Sequence, residues 1–283
     1  MIERVDYKNA LVLMTSSYRC NDNCPYCRSK SDHYFPTIYK RENFTKFVDD
    51  LKFLYEEGYH FNKFILSGNG EPTLYAGRDL FIITEAIYKY KLMFDEIRLY
   101  TNGYLFDNDL IFNLLNTVFN QYVLTIVSLD LHLNDFIKNH KGEIWNTENI
   151  QKVRKIKLDI ARTIFLNIDS FCTDLDEMLK HFPNIKQVLL MRLKNNIINN
   201  TVSKQNEWMN AYNMTETEKE KLYKKIDKSY NKINDNTFLT KDGIKILFGT
   251  GEKEIEPWLY WNSSKSFYNF EGEKIDKKQL IKK

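Results

Sequence analysis

The chain contains few residues that interrupt regular structure, with only 5 prolines and 10 glycines among 283 residues. This scarcity excludes collagen-like chains and low-complexity disordered chains. There is no run of about 18 apolar residues, so no membrane-spanning helix is expected. Residues 1–6, Met-Ile-Glu-Arg-Val-Asp, lack the apolar centre of a signal peptide. The sequence therefore predicts a cytoplasmic protein.

Neither sign of charge dominates, because 41 basic residues face 38 acidic ones and leave a net charge of +3. This balance gives no support to a nucleic-acid partner. Hydrophobic residues make up 43% of the chain and aromatic residues 14%, so a large core can be buried. The length fits one large domain or a domain with an appendage.

Cysteine is also scarce, but three of the four cysteines lie within one short segment, at positions 20, 24 and 27. In a cytoplasmic chain such clustering favours a metal site over a disulfide framework. Three thiolates can hold three irons of an iron–sulfur cluster and leave the fourth iron open to an outside ligand. Two alternatives stay open: a zinc site, for which His33 is the only nearby fourth ligand, and three unrelated free cysteines. The fourth cysteine, Cys172, stands alone.

Hydrophobic periodicity alternates between strand and helix over the first two thirds of the chain. Six strands are predicted, at residues 10–14, 61–66, 96–100, 122–128, 162–168 and 185–193. Helices are predicted between them, at residues 44–55, 79–90, 107–118, 147–156 and 174–182, with Asp107 as a cap of the third. This order is typical of an α/β fold with a parallel sheet, either open or rolled into a partial barrel.

Polar segments follow these predicted strands at the ends where a barrel carries its active site. They include the cysteine segment, residues 67–73, Thr101-Asn102-Gly103, residues 128–130 and residues 169–173. If the sheet is parallel, all five segments meet at one edge. This convergence is the physical reason to expect an enzyme.

The alternation ends near residue 193, so we divide the chain into a core at residues 1–193 and an extension at residues 194–283. The extension is predicted to begin with a loop and a helix opened by a Thr215–Glu218 capping box. A strand at residues 243–248 and an aromatic-rich stretch follow. We interpret the extension as a cap on the same domain, although a lid over a substrate remains an alternative for its two tryptophans, Trp258 and Trp261.

Three motifs resemble those of the radical S-adenosylmethionine (radical SAM) superfamily, and together they span about residues 10–193. The spacing CxxxCxxC at Cys20–Cys27, with Tyr26 before the last cysteine, is similar to the family's cluster loop. Residues 67–74 (Ser-Gly-Asn-Gly-Glu-Pro-Thr-Leu) resemble its Gly-Gly-Glu motif, with Asn69 inserted between the glycines. Residues 128–130 (Ser-Leu-Asp) with the following His132 and Asp135 are similar to a third stretch.

The resemblance implies a partial (βα)6 TIM-like barrel that holds a [4Fe-4S] cluster on Cys20, Cys24 and Cys27. It also implies S-adenosylmethionine as the second cofactor, a 5′-deoxyadenosyl radical as the oxidant, and a flavodoxin or ferredoxin as the electron donor. Because no cysteine follows Cys172, only one cluster is expected.

The resemblance further implies which residues contact S-adenosylmethionine. Tyr26 would lie near the adenine, and the Gly68–Asn69–Gly70–Glu71 turn would accept from the methionine ammonium group. Ser128 and Asp130 would contact the ribose or the carboxylate, although an ordinary strand-end turn is the alternative. Asn102 is placed to reach the ligand as well, or else serves only a tight turn.

The substrate is the least constrained part of the prediction. Cys172 follows the fifth predicted strand, where a thiol could return a hydrogen atom to a substrate radical, so epimerisation is one hypothesis; a loop cysteine without a role is the alternative. Three functions are open to this sequence: a radical SAM enzyme acting on a small molecule or a peptide, a non-catalytic iron–sulfur redox or sensor protein, and a tRNA-modifying radical SAM enzyme. The Gly-Glu and Ser-Leu-Asp motifs argue against the second, and the charge balance argues against the third.

Overall fold

The structure, a computed structural model, describes a little over half of the chain. The described residues are 5–15, 20–24, 27, 42–68, 70–75, 78–119, 121–126, 158–165, 185–192, 207, 211, 215–248, 259–262, 266–268 and 274–280.

The described strands form one sheet, and its eight central strands all run parallel. The strands are β1 (Val5–Thr15), β2 (Tyr59–Gly68), β3 (Phe94–Thr101), β4 (Gln121–Ile126), β5 (Leu158–Phe165), β6 (Gln187–Arg192), β7 (Asn231–Asn234), β8 (Thr237–Leu239), β9 (Lys245–Phe248), β10 (Leu259–Asn262), β11 (Ser266–Tyr268) and β12 (Lys274–Ile275). Their order is β12-β11-β10-β1-β2-β3-β4-β5-β6-β9-β8-β7. All six predicted strands of the core and the predicted strand near residue 245 are present.

Four helices of two turns or more lie in the described part of the chain: α1 (Glu42–Glu56), α2 (Arg78–Lys89), α3 (Asp109–Asn116) and α4 (Glu216–Ser229). None of them is long and apolar enough to cross a membrane. The helices predicted at 147–156 and 174–182 lie outside the described residues.

Helix α1 forms because its apolar residues recur on one face. Phe44, Phe47, Leu51 and Leu54 are all buried, and they follow the three-to-four-residue spacing of a helix. The helix ends before Gly58, whose φ of +78° is a left-handed conformation that favours glycine. The predicted helix and its stop are both confirmed.

The N-terminal cap was predicted correctly for one of two other helices and was wrong by one residue for the second. Thr215 and Glu218 form the predicted capping box of α4. The cap of α3 is Asn108 and not Asp107, because the Asn108 side chain accepts a hydrogen bond from the N–H of Ile111. Asp107 belongs to a preceding 3-10 turn at Tyr104–Asp107, so its prediction as the cap was wrong.

The aromatic C-terminal segment adds a strand to the sheet. Strand β10 pairs in parallel with β1, and Trp261 stands opposite Leu13. Trp261 is buried, packs edge-on against Phe47 with ring centroids 5.1 Å apart, and donates Nε1–H to Asp50 Oδ2 at 2.8 Å. Trp261 is therefore a core residue, which removes it from the alternative in which it forms a lid; Trp258 lies outside the described residues.

Asp50 is the buried anchor of this segment. Its carboxylate is 1% exposed and forms ion pairs with Lys46 of α1 and with Lys277. Lys277 belongs to the 3-10 turn at Lys277–Gln279, close to the end of the chain. A buried carboxylate is tolerated when charged and hydrogen-bonding partners surround it, and here those partners join α1 to the C-terminal segment.

Candidate active site

The carboxyl ends of β1, β2 and β3 lie side by side. Thr15 of β1 is paired with Gly68 of β2, and Leu66 of β2 is paired with Leu99 of β3. Three polar segments follow these strand ends: the cysteine segment after β1, the Glu71 turn after β2, and the Thr101–Gly103 turn after β3. The register of the parallel sheet thus places them at one edge, where α/β proteins commonly build their sites.

Glu71 is the centre of the contacts between the second and third of these segments. Its side chain is buried, with 3% of the residue exposed. Oε1 accepts hydrogen bonds from the N–H of Thr73 at 3.1 Å and from its hydroxyl at 2.6 Å. Oε1 also accepts from the Thr101 hydroxyl at 2.6 Å, and Oε2 accepts from the N–H of Asn102 at 2.8 Å. Glu71 therefore ties the end of β3 to the turn after β2.

Burial is the main influence on the charge of this carboxyl group and raises the pKa of Glu71 above its ordinary value. The hydrogen bonds from Thr101, Thr73 and Asn102 oppose that shift because they stabilise the carboxylate. These donors keep the buried group from being an unsatisfied polar atom. The local fold therefore depends on them.

The Thr101–Gly103 turn is held in one conformation by its own contacts. The Thr101 hydroxyl, which donates to Glu71, accepts from the N–H of Gly103 at 3.0 Å. Gly103 has a φ of +79°, a left-handed conformation in which a side chain would be strained. Between these two residues the Asn102 side chain projects toward the cysteine segment.

Asn102 makes the contact between β3 and the cysteine segment. Its Nδ2 donates to Asn21 Oδ1 at 2.7 Å and to Asp22 Oδ2 at 3.1 Å. The N–H of Asp22 in turn lies 3.4 Å from Cys20 Sγ and donates to it. A side chain after β3 is therefore two hydrogen bonds away from the first cysteine sulfur.

The cysteine segment carries three thiols, those of Cys20, Cys24 and Cys27, and each residue is partly exposed. The N–H of Cys27 donates to the carbonyl oxygen of Cys24 at 3.2 Å, which closes a turn between the last two cysteines. Accessible thiols on one short segment are the donor set that iron–sulfur clusters require.

The surroundings of Cys20 disfavour the negatively charged thiolate. The pKa of the Cys20 thiol is raised to about 12, chiefly by burial; the hydrogen bond from the N–H of Asp22 lowers it, and the nearby carboxylates of Asp22 and Glu71 add to the rise. Such a thiol is neutral by itself. A metal cation bound next to it would lower this pKa and favour the thiolate.

Within the described ranges, no three Cys, His, Asp or Glu side chains are gathered around one point as ligands of a single ion. In a [4Fe-4S] cluster each cysteine binds a different iron, so its three thiols do not converge on one point either. The count, type and exposure of the donors fit such a cluster.

Of the remaining predicted site residues, two lie in the described part of the chain and the others do not. Gly68 ends β2, and Gly70 lies directly before Glu71. Five residues fall outside the described part of the chain: Tyr26, Asn69, Ser128, Asp130 and Cys172, and the alternative zinc ligand His33 does so too. Asn21, Asp22 and Thr73 were not predicted as site residues, because their only signal in the sequence is that polar side chains recur inside the motifs.

A sequence model of the radical SAM superfamily matches residues 14–182 of this chain. No curated protein matches the sequence significantly. The matched segment begins at the end of β1 and includes the cysteine segment, Glu71 and Asn102.

Solved structures share the fold at low sequence identity. SuiB from Streptococcus suis bound to the precursor peptide SuiA is 16% identical, with a TM-score of 0.50 over 68% of this chain and 40% of that chain. The enzyme anSMEcpe with bound AdoMet is 20% identical, with a TM-score of 0.52 over 77% of this chain and 57% of that one. Coproporphyrinogen III oxidase (HemN) from Escherichia coli, a radical SAM enzyme, is 13% identical, with a TM-score of 0.54 over 88% and 65%.

This chain thus spans between 40% and 65% of the length of these three neighbours. At such identities the likeness establishes a shared α/β fold of the radical SAM type.

Proposed function

The chain belongs to the radical SAM superfamily, whose enzymes use a [4Fe-4S] cluster and S-adenosylmethionine, and from this premise we propose that it is a hydrogen-abstracting enzyme of that class. When bound, the two cofactors supply a 5′-deoxyadenosyl radical that removes a hydrogen atom from the substrate. One observation carries the proposal: the three-cysteine segment lies beside the Glu71–Asn102 pair at the carboxyl ends of three parallel strands. The protein's part is to bind, orient and shield these cofactors.

Cys20, Cys24 and Cys27 are proposed as the ligands of three irons. Their segment is partly exposed and supplies only three thiolates, so one iron of a bound cluster would have no ligand from this segment and would be available to S-adenosylmethionine. The turn at Gly68, Asn69 and Gly70 is proposed to accept from the methionine ammonium group through backbone carbonyls, because glycine lets a ligand approach the backbone closely.

Glu71 contributes to the same turn mainly by holding it. Oε1 already accepts three hydrogen bonds from the chain, whereas Oε2 accepts one from Asn102 and keeps capacity for a second. On the strength of their motifs, Tyr26 remains a proposed contact of the adenine, and Ser128 and Asp130 remain proposed contacts of the ribose or the carboxylate.

We also propose that the parallel sheet is curved into part of a barrel, and the chain length between β9 and β10 supports this. Only ten residues, 249–258, connect these strands, which are the two outermost strands of the parallel set. Eleven Cα–Cα steps reach at most ~40 Å, while seven strand spacings in a flat sheet span ~34 Å. The connection must also return from the carboxyl end of β9 to the amino end of β10, so a flat sheet leaves it almost no slack.

The reaction proposed for this site is epimerisation of a small molecule or a peptide. After hydrogen abstraction yields 5′-deoxyadenosine and a carbon radical, the Cys172 thiol would give its hydrogen atom to the opposite face. The resulting thiyl radical would return to the thiol with one electron from a flavodoxin or ferredoxin and one proton from water. In D2O, wild-type enzyme should place solvent deuterium in the product; unchanged deuterium incorporation by Cys172→Ala would eliminate this role.

The proposal includes a cytoplasmic location, because the cysteine ligands of an iron–sulfur cluster must stay reduced and the cytoplasm keeps thiols reduced.

The test of the proposed class is anaerobic reconstitution with iron and sulfide, followed by dithionite, S-adenosylmethionine and an assay for 5′-deoxyadenosine. The wild type should bind about four irons per chain and cleave S-adenosylmethionine. Cys24→Ala should lose both properties, whereas Cys172→Ala should keep both. Wild-type protein that binds no iron–sulfur cluster would refute the proposal.

A further inference from the structure

We propose that Asn102 is a positioning residue that holds the cysteine segment ready for its cluster, and that Glu71 acts through it. The inference rests on the proposed function for the identity of the cluster, but its contacts are all within the protein. It assigns Asn102 a role different from a contact with S-adenosylmethionine.

Asn102, the residue that does the positioning, is itself held rigidly. The N–H of Asn102 donates to Glu71 Oε2 at 2.8 Å, and the preceding Thr101 donates its hydroxyl to Oε1 at 2.6 Å. Asn102 is 7% exposed and Glu71 3%. Because the N–H of Asn102 and the hydroxyl of the preceding residue both bond the same buried carboxylate, the backbone at Asn102 has little freedom to move, which is the condition for positioning another group.

The side chain of Asn102 directs its hydrogen bonds at the cysteine segment. Its Nδ2 faces two oxygens of the cysteine segment, Asn21 Oδ1 and Asp22 Oδ2, at 2.7 and 3.1 Å. Both acceptors lie between the first and second cysteines, and Asp22 is 9% exposed. Asn102 must therefore be a donor at this place. An aspartate here, which has the same shape but carries only acceptor oxygens, would place a second negative charge against the Asp22 carboxylate.

Asp22 links these contacts to the sulfur of Cys20. The N–H of Asp22 donates to Cys20 Sγ, so fixing Asp22 also fixes a hydrogen bond to a proposed cluster ligand. Hydrogen bonds to cluster sulfurs and ordered ligand segments both favour cluster retention. A segment that is ordered before the cluster arrives loses less conformational entropy when the cluster binds.

These contacts designate one substitution as the sharpest probe, Asn102→Asp. It keeps the size and shape of the side chain, removes both donated hydrogen bonds, and sets a carboxylate against Asp22. The matched control is Asn108→Asp, the same chemical change six residues further along. The Asn108 side chain accepts a hydrogen bond at a helix cap, and aspartate can do the same there.

A double variant restores the hydrogen bond between residues 22 and 102 with donor and acceptor exchanged. In Asn102→Asp combined with Asp22→Asn, the amide of residue 22 donates to the carboxylate of residue 102, and the Asn21 amide can turn over to donate to it as well. The total charge equals that of the wild type. Asp22→Asn alone keeps an acceptor oxygen toward Asn102, so it serves as the single-variant reference for this pair.

The experiment measures how fast reconstituted protein loses iron to a chelator under anaerobic conditions. Asn102→Asp should lose iron at least about tenfold faster than the wild type, because two hydrogen bonds are lost and a like charge is added. Asn108→Asp and Asp22→Asn should match the wild type within about threefold, and the double variant should recover to the same range. Wild-type loss rates in Asn102→Asp, or no recovery in the double variant, would overturn the proposal.

A second measurement keeps the test independent of the cluster. Hydrogen exchange of the cluster-free protein should be faster in the peptide covering residues 20–27 for Asn102→Asp than for the wild type or Asn108→Asp. An unchanged peptide would overturn the positioning role. If the wild type accepts no cluster, the proposed function fails, and this exchange measurement still decides the role of Asn102 by itself.

Discussion

The backbone N–H of Asn102, at the end of β3, donates a 2.8 Å hydrogen bond to the carboxylate of Glu71, in the turn after β2. These residues are 31 positions apart in the sequence. The bond joins two motifs that look independent in the sequence: the Gly-Glu turn and the Thr-Asn-Gly turn. Through the Asn102 side chain, the same contact reaches the cysteine segment.

The first prediction concerns Glu71→Gln. A glutamine can present its oxygen to the Thr73 and Thr101 donors. Its amide NH2 group then faces the N–H of Asn102, and because both are donors that N–H loses its acceptor. The free energy of unfolding should fall by about 1–3 kcal/mol, as expected when a buried donor loses its partner. Denaturant titration measures this, and Glu220→Gln on the exposed face of α4 is the control. Equal stability of the two variants would contradict the structural role given to Glu71.

The second prediction concerns the attachment of the C-terminal segment. Trp261→Phe removes the Nε1–H that Asp50 accepts, while the ion pairs of Asp50 with Lys46 and Lys277 remain. The free energy of unfolding should fall by about 2 kcal/mol from the lost hydrogen bond and the smaller ring.

Hydrogen exchange locates that effect. It should rise in residues 259–280 of Trp261→Phe and stay unchanged in β2. Phe267→Leu, a change of volume in the adjacent strand without a lost hydrogen bond, separates packing from hydrogen bonding. If Trp261→Phe leaves exchange in residues 259–280 at the wild-type level, the anchoring role is wrong.

The third prediction concerns the cap of α4 and its pH dependence. Hydrogen bonds from the N–H and hydroxyl of Thr215 hold the pKa of Glu218 below its ordinary value of 4.5. Because the pKa is lower in the folded protein, ionised Glu218 stabilises the fold above its unfolded pKa. That stabilisation is lost as the pH falls through the folded pKa.

Glu218→Gln should therefore be less stable than the wild type near pH 7, and the difference should shrink to nothing in strong acid. Thermal unfolding over a pH series measures it. Glu216→Gln changes the same charge on the same helical turn without touching the capping box. A stability difference for Glu218→Gln that does not depend on pH would contradict the account.

Local patterns were enough to predict most elements of the sheet and its helices. The spacing of Phe44, Phe47, Leu51 and Leu54 predicted α1, and Gly58 predicted its end, because both depend on near neighbours in the sequence. The place of β10 next to β1 could not be predicted in this way. Leu13 and Trp261 pair across nearly the whole chain, and nothing in either segment specifies that partner.

In the candidate site too, the short motifs could be predicted from the sequence, and the contacts between distant segments could not. The cysteines and Glu71 stood out because each motif is short and contiguous. The contacts that organise them did not, since Glu71 finds donors in Thr101 and Asn102, thirty residues further along. Asn102 was predicted from its position at a strand end, but its two acceptors on the cysteine segment appear only once the strands are side by side.

The central claim is that three cysteines hold a cluster whose open iron binds S-adenosylmethionine. The most direct measurement is the electron paramagnetic resonance spectrum of the reconstituted, dithionite-reduced protein with and without S-adenosylmethionine. We predict a reduced [4Fe-4S] signal whose g-values change when S-adenosylmethionine is added, and its absence in Cys24→Ala. A cluster signal that is identical with and without saturating S-adenosylmethionine, or one that survives in Cys24→Ala, would contradict the claim.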